Sequence, residues 1–414
     1  MMNSGGSPPV LRQINQGLVL ETLRGAGLLR LGELSQRTGL SRPTVSAILD
    51  ELSETGWVNF VDEHPKGRAG LGRPARLVEF RAGAGYVVGI DIGSHRTTVG
   101  VADLEGTVVA RARAETARAV DQRRLFSVVR ATITDALRQG GVPREAVLSA
   151  VAGSPGIIDR ETGTVRTPSL GWSHLKLGAE LRRSFPHPVQ VENDINLAVL
   201  GERWRGAAAD AHTVLFVQWG ERIGAGISID GQLHFGHSSA AGELGFVNVL
   251  TDKLGPTVDE QGRGALEREA SAGAVVALGR REARRGGALA EAIRSGKLDA
   301  AAVFDAAQAG DRGARRVVDT VVGRLARGLA PAILLLDPDV TVIGGGISRS
   351  GPTVLDALRR ALDPLTLVPN RLVLSTLGED AVVLGAIRLA LTDVEERVLP
   401  HAGRLEAPAA REPA

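Results

Sequence analysis

"VVGIDIGSHRTTVGVADLEG" (residues 87–106) begins as an apolar run, breaks at a glycine turn and resumes as a second apolar run, the pattern of two tightly joined strands. Asp91 and Gly93 stand at the turn, where the missing side chain of glycine lets a phosphate approach the backbone. The pattern returns at residues 212–233, "HTVLFVQWGERIGAGISIDGQL". Between the copies lie a third strand, "TVVARARAET" (107–116), a helix near 121–139, the strand "AVLSAVAGSPG" (146–156), and "PVQVENDINLAVLGE" (188–202), a strand running into a helix. A strand–turn–strand unit used twice among alternating strands and helices predicts an α/β body of two similar lobes.

The 414 residues suffice for two or three domains, each with its own core. Hydrophobic residues make up 43% and charged residues 23%, ordinary for a globular chain, while aromatics at 3% leave core filling to aliphatic side chains. A net charge of +2 is no argument for nucleic acid by itself. The absence of cysteine excludes disulfides and thiolate metal sites, which makes the cytoplasm the expected compartment. "MMNSGGSPPVLRQ" has no apolar signal core, and "LAPAILLL" (329–336) is far short of a membrane span, so no membrane partner is expected.

Residues 11–65 carry helical periodicity through Ile14, Leu18, Val19 and Leu23, then Leu28, Leu31 and Leu34, then Leu40, Val45, Ile48, Leu49 and Leu52. In "RTGLSRPTVSAILDEL" (37–52), Gly39 makes the turn, Leu40 plugs the core and Ser41 caps a helix that tolerates Pro43 in its first turn. This is helix-turn-helix grammar, which offers the start of the second helix to the major groove. Ser41, Arg42, Thr44 and Ser46 are the expected readers, Arg42 foremost because a guanidinium pairs with two acceptors on guanine. "HPKGRAGLGRPARLVEF" (64–80) then supplies a basic wing, with Lys66, Arg68, Arg73 and Arg76 placed for DNA phosphates or the minor groove.

From residue 86 to about 390 the body resembles the ROK family of repressors and sugar kinases, on the actin-like ATPase fold. The segments that carry the likeness are "GIDIG", "SPGIID…TPSLGW", "VENDINLAVLGE", "IGAGISIDGQLHFG", "AGELG", "RGALE" and "VIGGGIS", in family order. The winged head resembles the repressor branch. The resemblance implies that Asp194, the general base of the kinases, lines a sugar site with Asn193, Glu243 and Glu267. Carboxylates suit that role because each can accept from two adjacent hydroxyls.

Two departures bear on catalysis. Where family kinases continue the first phosphate loop with Gly and Thr, Gly93 is followed here by Ser94, His95 and Arg96. Where they read Gly-Thr-Gly before an Ile-Gly pair, this chain reads Gly220, Glu221, Arg222, Ile223, Gly224. A carboxylate facing a polyphosphate in a dry site is repulsive by several kcal/mol. Phosphoryl transfer is therefore expected to be lost, with ATP unbound and Asp194 left as a binding residue. "VIGGGIS" (342–348) resembles the adenosine-side loop, although a tight strand-to-helix turn explains Gly344, Gly345 and Gly346 better.

Family members commonly hold zinc through a His after "GELG" and three cysteines. Phe246 stands at the His position and no cysteine exists, so no metal or other cofactor is expected and the loop is either packed through Phe246 and Leu254 or more mobile. His174, His187, His212, His234 and His237 show no catalytic spacing. Residues 314–339 read as a long buried helix of the kind that helps relatives form dimers, so a homodimer or homotetramer is expected.

The expected organisation is a disordered N-terminus (1–10), a winged helix-turn-helix (11–80), a first lobe (86–200, completed by about 375–392), a second lobe (201–374) and a disordered tail (393–414). The expected function is a sugar-responsive transcriptional repressor of carbohydrate genes whose partners are an operator duplex and a small carbohydrate. Competing readings are an ATP-dependent sugar kinase with a DNA-binding head, and a ligand-independent DNA-binding protein with a vestigial pocket.

Overall fold

The computed structural model describes residues 8–62, 76–116, 121–167, 172–249 and 258–405. The chain divides into two compact units, one of Met1–Ala152, Gly178–Gln190 and Ala386–Ala414, the other of Gly153–Leu177 and Val191–Gly385.

The first unit starts with three helices, α1 (Pro8–Leu23), α2 (Leu31–Thr38) and α3 (Arg42–Glu54), and a three-stranded sheet of β1 (Leu29–Arg30), β2 (Val58–Asp62) and β3 (Arg76–Phe80), in order β1-β3-β2. Their core is Val19, Leu20, Leu23, Leu34, Val45, Ile48, Leu49, Leu52 and Trp57. Ile14 and Leu28, expected in that core, are exposed; Ile14 lies on the α1 face turned towards the end of the chain. That end is not disordered from 393 as expected: α13 (Ala381–Arg397) runs on into a 3-10 turn at Leu399–Arg404. Head contacts hold it, since the Trp57 indole donates to the Leu405 carbonyl at 2.7 Å and Arg24 pairs with Glu395 at 2.5 Å.

The body of this unit is built on β4 (Tyr86–Ile92), β5 (Arg96–Asp103), β6 (Val108–Glu115), β7 (Val147–Ser154) and β11 (Val189–Asn193), ordered β11-β7-β4-β5-β6, with the last residues of β7 and β11, from Gly153 and from Val191, counted in the second unit. The capped α4 (Gln122–Gln139) buries Leu125, Phe126, Val129, Ile133 and Leu137, one stripe of a 3.6-residue period. β7 is buried at every residue, which is why it reads as continuous apolar and small residues rather than an alternation.

The second unit contains a small antiparallel sheet, β8 (Ile157–Asp159), β9 (Thr164–Thr167) and β10 (Trp172–Lys176), which the sequence reading did not resolve. A short helix, α5 (Leu177–Leu181), follows it and from Gly178 onward belongs to the first unit. The large sheet of the second unit has β12 (Val214–Trp219), β13 (Ile223–Ile229), β14 (Gln232–Leu233), β15 (Val340–Gly344) and β16 (Leu372–Leu374), ordered β14-β13-β12-β15-β16. Counted along each lobe, both five-stranded sheets have the order 3-2-1-4-5, which is the duplication seen in sequence, now in topology. β12 alternates between two cores. Leu215, Val217 and Trp219 join Val317, Val321, Leu325 and Leu329 of α11 (Arg312–Leu336), while Val214 and Phe216 join Ala198 and Val199 of α6 (Asp194–Arg205). α7 (Ala265–Ala270), α8 (Ala272–Ala283), α9 (Ala288–Arg294), α10 (Ala300–Gln308) and α12 (Pro352–Leu362) complete the unit.

Candidate functional site

In the head, Gly39 takes φ +70° and Ser41 Oγ accepts the Thr44 N–H, so the turn and cap stand as read. Ser41 and Arg42 are exposed, whereas Thr44 and Ser46 are half-buried. Ser41 Oγ also bonds Thr44 Oγ1 at 2.8 Å, which ties both hydroxyls to the helix start. Arg42 is thus the exposed cation at the start of α3; it lies back beside Gly32 and must swing outward to reach a base. Arg37, exposed in the last turn of α2, flanks the same turn. Arg76 is exposed at the base of the wing with its guanidinium 3.9 Å above the Phe60 ring. Lys66, Arg68 and Arg73 lie outside the described residues.

In the second unit β11 ends at Asn193 and α6 begins at Asp194. Asn193 Oδ1 accepts the N–H groups of Ile195 and Asn196, and its Nδ2 donates to the Gly156 carbonyl at 2.9 Å. Asn193 therefore locks the helix start to the turn after β7. Asp194 follows, its carboxylate accepting from the Ile195 N–H, and burial pushes its pKa up to about 6.

Glu243 belongs to a segment that depends on glycine. Gly242 has φ +88°, and a Cβ there would lie 2.0 Å from the Ala225 carbonyl oxygen. The Glu243 carboxyl is raised first by desolvation, then by the charges of Glu267 and Asp194, which places it within reach of both acids. No hydrogen bond from a described residue lowers it. Glu267 is the opposite case. Its Oε1 accepts the Ile223 N–H at 3.0 Å, and its Oε2 accepts the Gly264 N–H at 2.9 Å and Arg222 at 3.1 Å. With three of about four lone-pair sites in use, Glu267 braces the fold, while Asp194 and Glu243 are the carboxylates left open.

The brace involves the altered phosphate loop. Gly220–Arg222 forms the hairpin between β12 and β13, and Arg222 reaches out of it to Glu267 and to the carbonyls of Gln261 and Gly262. The residue that displaces the family's small one thus spends its charge on a neighbouring carboxylate. At the other glycine loop a Cβ on Gly345 would lie 2.5 Å from the Trp219 carbonyl oxygen, and one on Gly344 would lie 2.4 Å from the Phe216 ring. Close packing accounts for both glycines. In the first unit, the Gly93 N–H donates to the Arg96 carbonyl and closes the β4–β5 hairpin. Phe246 is half-buried, with Leu254 outside the described residues.

The ROK family profile matches residues 87–393, and that of the IclR helix-turn-helix domain matches 18–62. The chain belongs to the ROK family. A xylose repressor of Caldicellulosiruptor bescii is 27% identical over 94% of this ROK chain and 98% of its own. A glucokinase of Thermotoga maritima is 33% identical over 75% of this chain and 98% of its own. Among solved structures, a ROK family transcriptional regulator, a homologue of the E. coli MLC protein, superposes with a TM-score of 0.77 at 22% identity, covering 95% of this chain and 99% of that one. A ROK family glucokinase from Streptomyces griseus in complex with glucose and AMPPNP gives 0.64 at 28% identity, over 74% and 100%. The winged head on a two-lobed actin-like body is therefore the architecture of this ROK protein.

Proposed function

We propose that the protein is a sugar-responsive DNA-binding repressor whose ROK body binds a small carbohydrate and has given up phosphoryl transfer. One observation carries this: the likeness to the xylose repressor runs through the head, while the likeness to the glucokinase covers only 75% of the chain. Asp194 and Glu243, the two open carboxylates, are the ligand-facing groups, and Arg42 is the principal base reader. Arg222 on Glu267, in place of a small phosphate-loop residue, supports the loss of chemistry. Neither a metal nor a nucleotide has a part in this reading.

Leu335, Leu367 and Val368 are strongly exposed near the end of α11 and after α12, apolar surface that a second copy of the chain would cover. A homodimer presents two heads to the half-sites of a palindrome. No helix among the described residues is long and apolar enough to cross a membrane, which fits a cytoplasmic regulator.

The test is selection of fragmented genomic DNA on the purified protein, followed by challenge of the recovered sites with aldoses. A palindromic site beside carbohydrate transport or catabolism genes, released by one sugar, is expected. Arg42→Ala should weaken that complex by about 10- to 100-fold in a gel-shift titration, the loss of one bidentate base contact. Asp194 at a pKa near neutrality also suits a general base, so kinase activity is the second reading. Sugar phosphate formed from ATP, and abolished in Asp194→Asn, would replace the first.

A further inference from the structure

Arg160 sits in the turn after β8, and no family motif singles it out. Asp159 organises that turn by accepting the Glu161 and Thr162 N–H groups and the Thr162 hydroxyl, which leaves the next side chain free to project. Arg160 Nε lies 3.2 Å from Glu192 Oε2, and the guanidinium stacks 3.6 Å above the centre of the Phe235 ring. Glu192 is 2% exposed and immediately precedes Asn193. Its Oε1 accepts the Asn193 N–H and the Asn196 side-chain amide, while Oε2 accepts no hydrogen bond and has the Arg160 charge as its compensation.

Each partner belongs to a different part of the candidate sugar site. Glu192 supports the start of α6, where Asp194 stands. Phe235 opens the loop that leads to Glu243 and is closed at its base by the Ala241 N–H on the Phe235 carbonyl, at 3.1 Å. The turn of Arg160 follows Gly156, whose carbonyl receives Asn193. One guanidinium therefore joins the segment that carries Asp194 to the segment that carries Glu243, by charge on one side and by ring stacking on the other.

We propose that Arg160 is a positioning residue for the sugar site: it latches the Phe235 loop to the Glu192 carboxylate and so sets the spacing of the Asp194 and Glu243 carboxylates for a polyhydroxylated ligand. The inference rests on the sugar reading of the preceding subsection. Lysine at this position keeps the charge on Glu192 and a weaker contact with the ring, whereas methionine keeps only the apolar stem.

The test titrates a panel of aldoses and N-acetylhexosamines into the full-length wild type, R160M, R160K and F235L by calorimetry. Melting curves and ligand-free operator titrations are recorded on the same samples. For the sugar that the wild type binds, R160M should raise Kd at least about tenfold and F235L several-fold, with R160K between R160M and the wild type. Operator affinity without sugar should stay within about twofold throughout. Should R160M fail to fold, F235L, which leaves the Arg160–Glu192 pair in place, decides the matter. Wild-type sugar affinity in F235L and in any folded R160M overturns the latch alone. A wild type that binds no sugar overturns the sugar reading and the latch with it.

Discussion

Glu267→Ala is expected to destabilise the second unit by about 3–5 kcal/mol and to lower its melting temperature by about 10 °C. The truncation removes the acceptor of three interactions at once: the Arg222 ion pair and the N–H groups of Ile223 and Gly264, both of which are buried. Each orphaned buried donor alone costs about 1–3 kcal/mol, and Arg222, being part-exposed, recovers some hydration. Glu243→Gln provides the contrast. Its carboxylate takes no hydrogen bond from a described residue and is opposed by two like charges, so the amide should leave the melting temperature unchanged or slightly raised. Sugar affinity should nevertheless fall at least about tenfold, because the acceptor pair for adjacent hydroxyls is halved. Thermal melts and sugar titrations on both variants separate brace from ligand. Equal destabilisation by the two, or unaltered sugar binding in Glu243→Gln, would refute the assignment.

Asp194→Asn is expected to stabilise the protein at neutral pH while abolishing its response to sugar. Burial raises the Asp194 carboxyl from 3.8 to about 6, so the folded state binds its proton more tightly than the unfolded chain does. A raised carboxyl contributes stability that is complete below the unfolded value of 3.8 and is lost as pH rises through about 6. Above that point the folded protein carries a penalty of up to about 3 kcal/mol, from a shift of about two units at 1.36 kcal/mol each. Asparagine has no proton to lose and can still accept from the Ile195 N–H. Denaturant titrations should therefore show the variant ahead of the wild type at pH 7.5 and level with it near pH 4. A pH-independent difference would reject burial of the charge as its cause. A hydroxyl donating to the ionised form also makes wild-type sugar affinity rise with pH through about 6. Instability at this position is the cost of keeping a charged acceptor in a sheltered site.

The sequence by itself determined whatever depends on near neighbours along the chain. The strand–turn–strand unit shows as two apolar runs joined by a glycine turn, and its recurrence disclosed two lobes, whose common strand order the sheets bear out. The helix-turn-helix was legible because Gly39 and Ser41 act within a few residues of where they stand. The three acids Asp194, Glu243 and Glu267 were legible as a group through family resemblance, and the Glu243 carboxyl feels the charges of the other two.

Only the tertiary structure decided which of them are open. Glu267 caps the start of α7 locally through the Gly264 N–H, but its other partners, Ile223 and Arg222, stand 44 and 45 positions earlier in the chain and are brought to it only by folding. Asn193 sits in a sugar-site motif, yet its side chain is taken by the start of α6 and by Gly156. Ile14 has the spacing of a core residue, but α1 turns that face towards the end of the chain. Arg160 looked like any charged turn residue until folding set it between Glu192 and Phe235. Periodicity and capping are short-range and leave a trace in the order of residues. Whether a buried polar group already has a partner depends on segments that meet only after folding, and that settles which residues are left to bind something else.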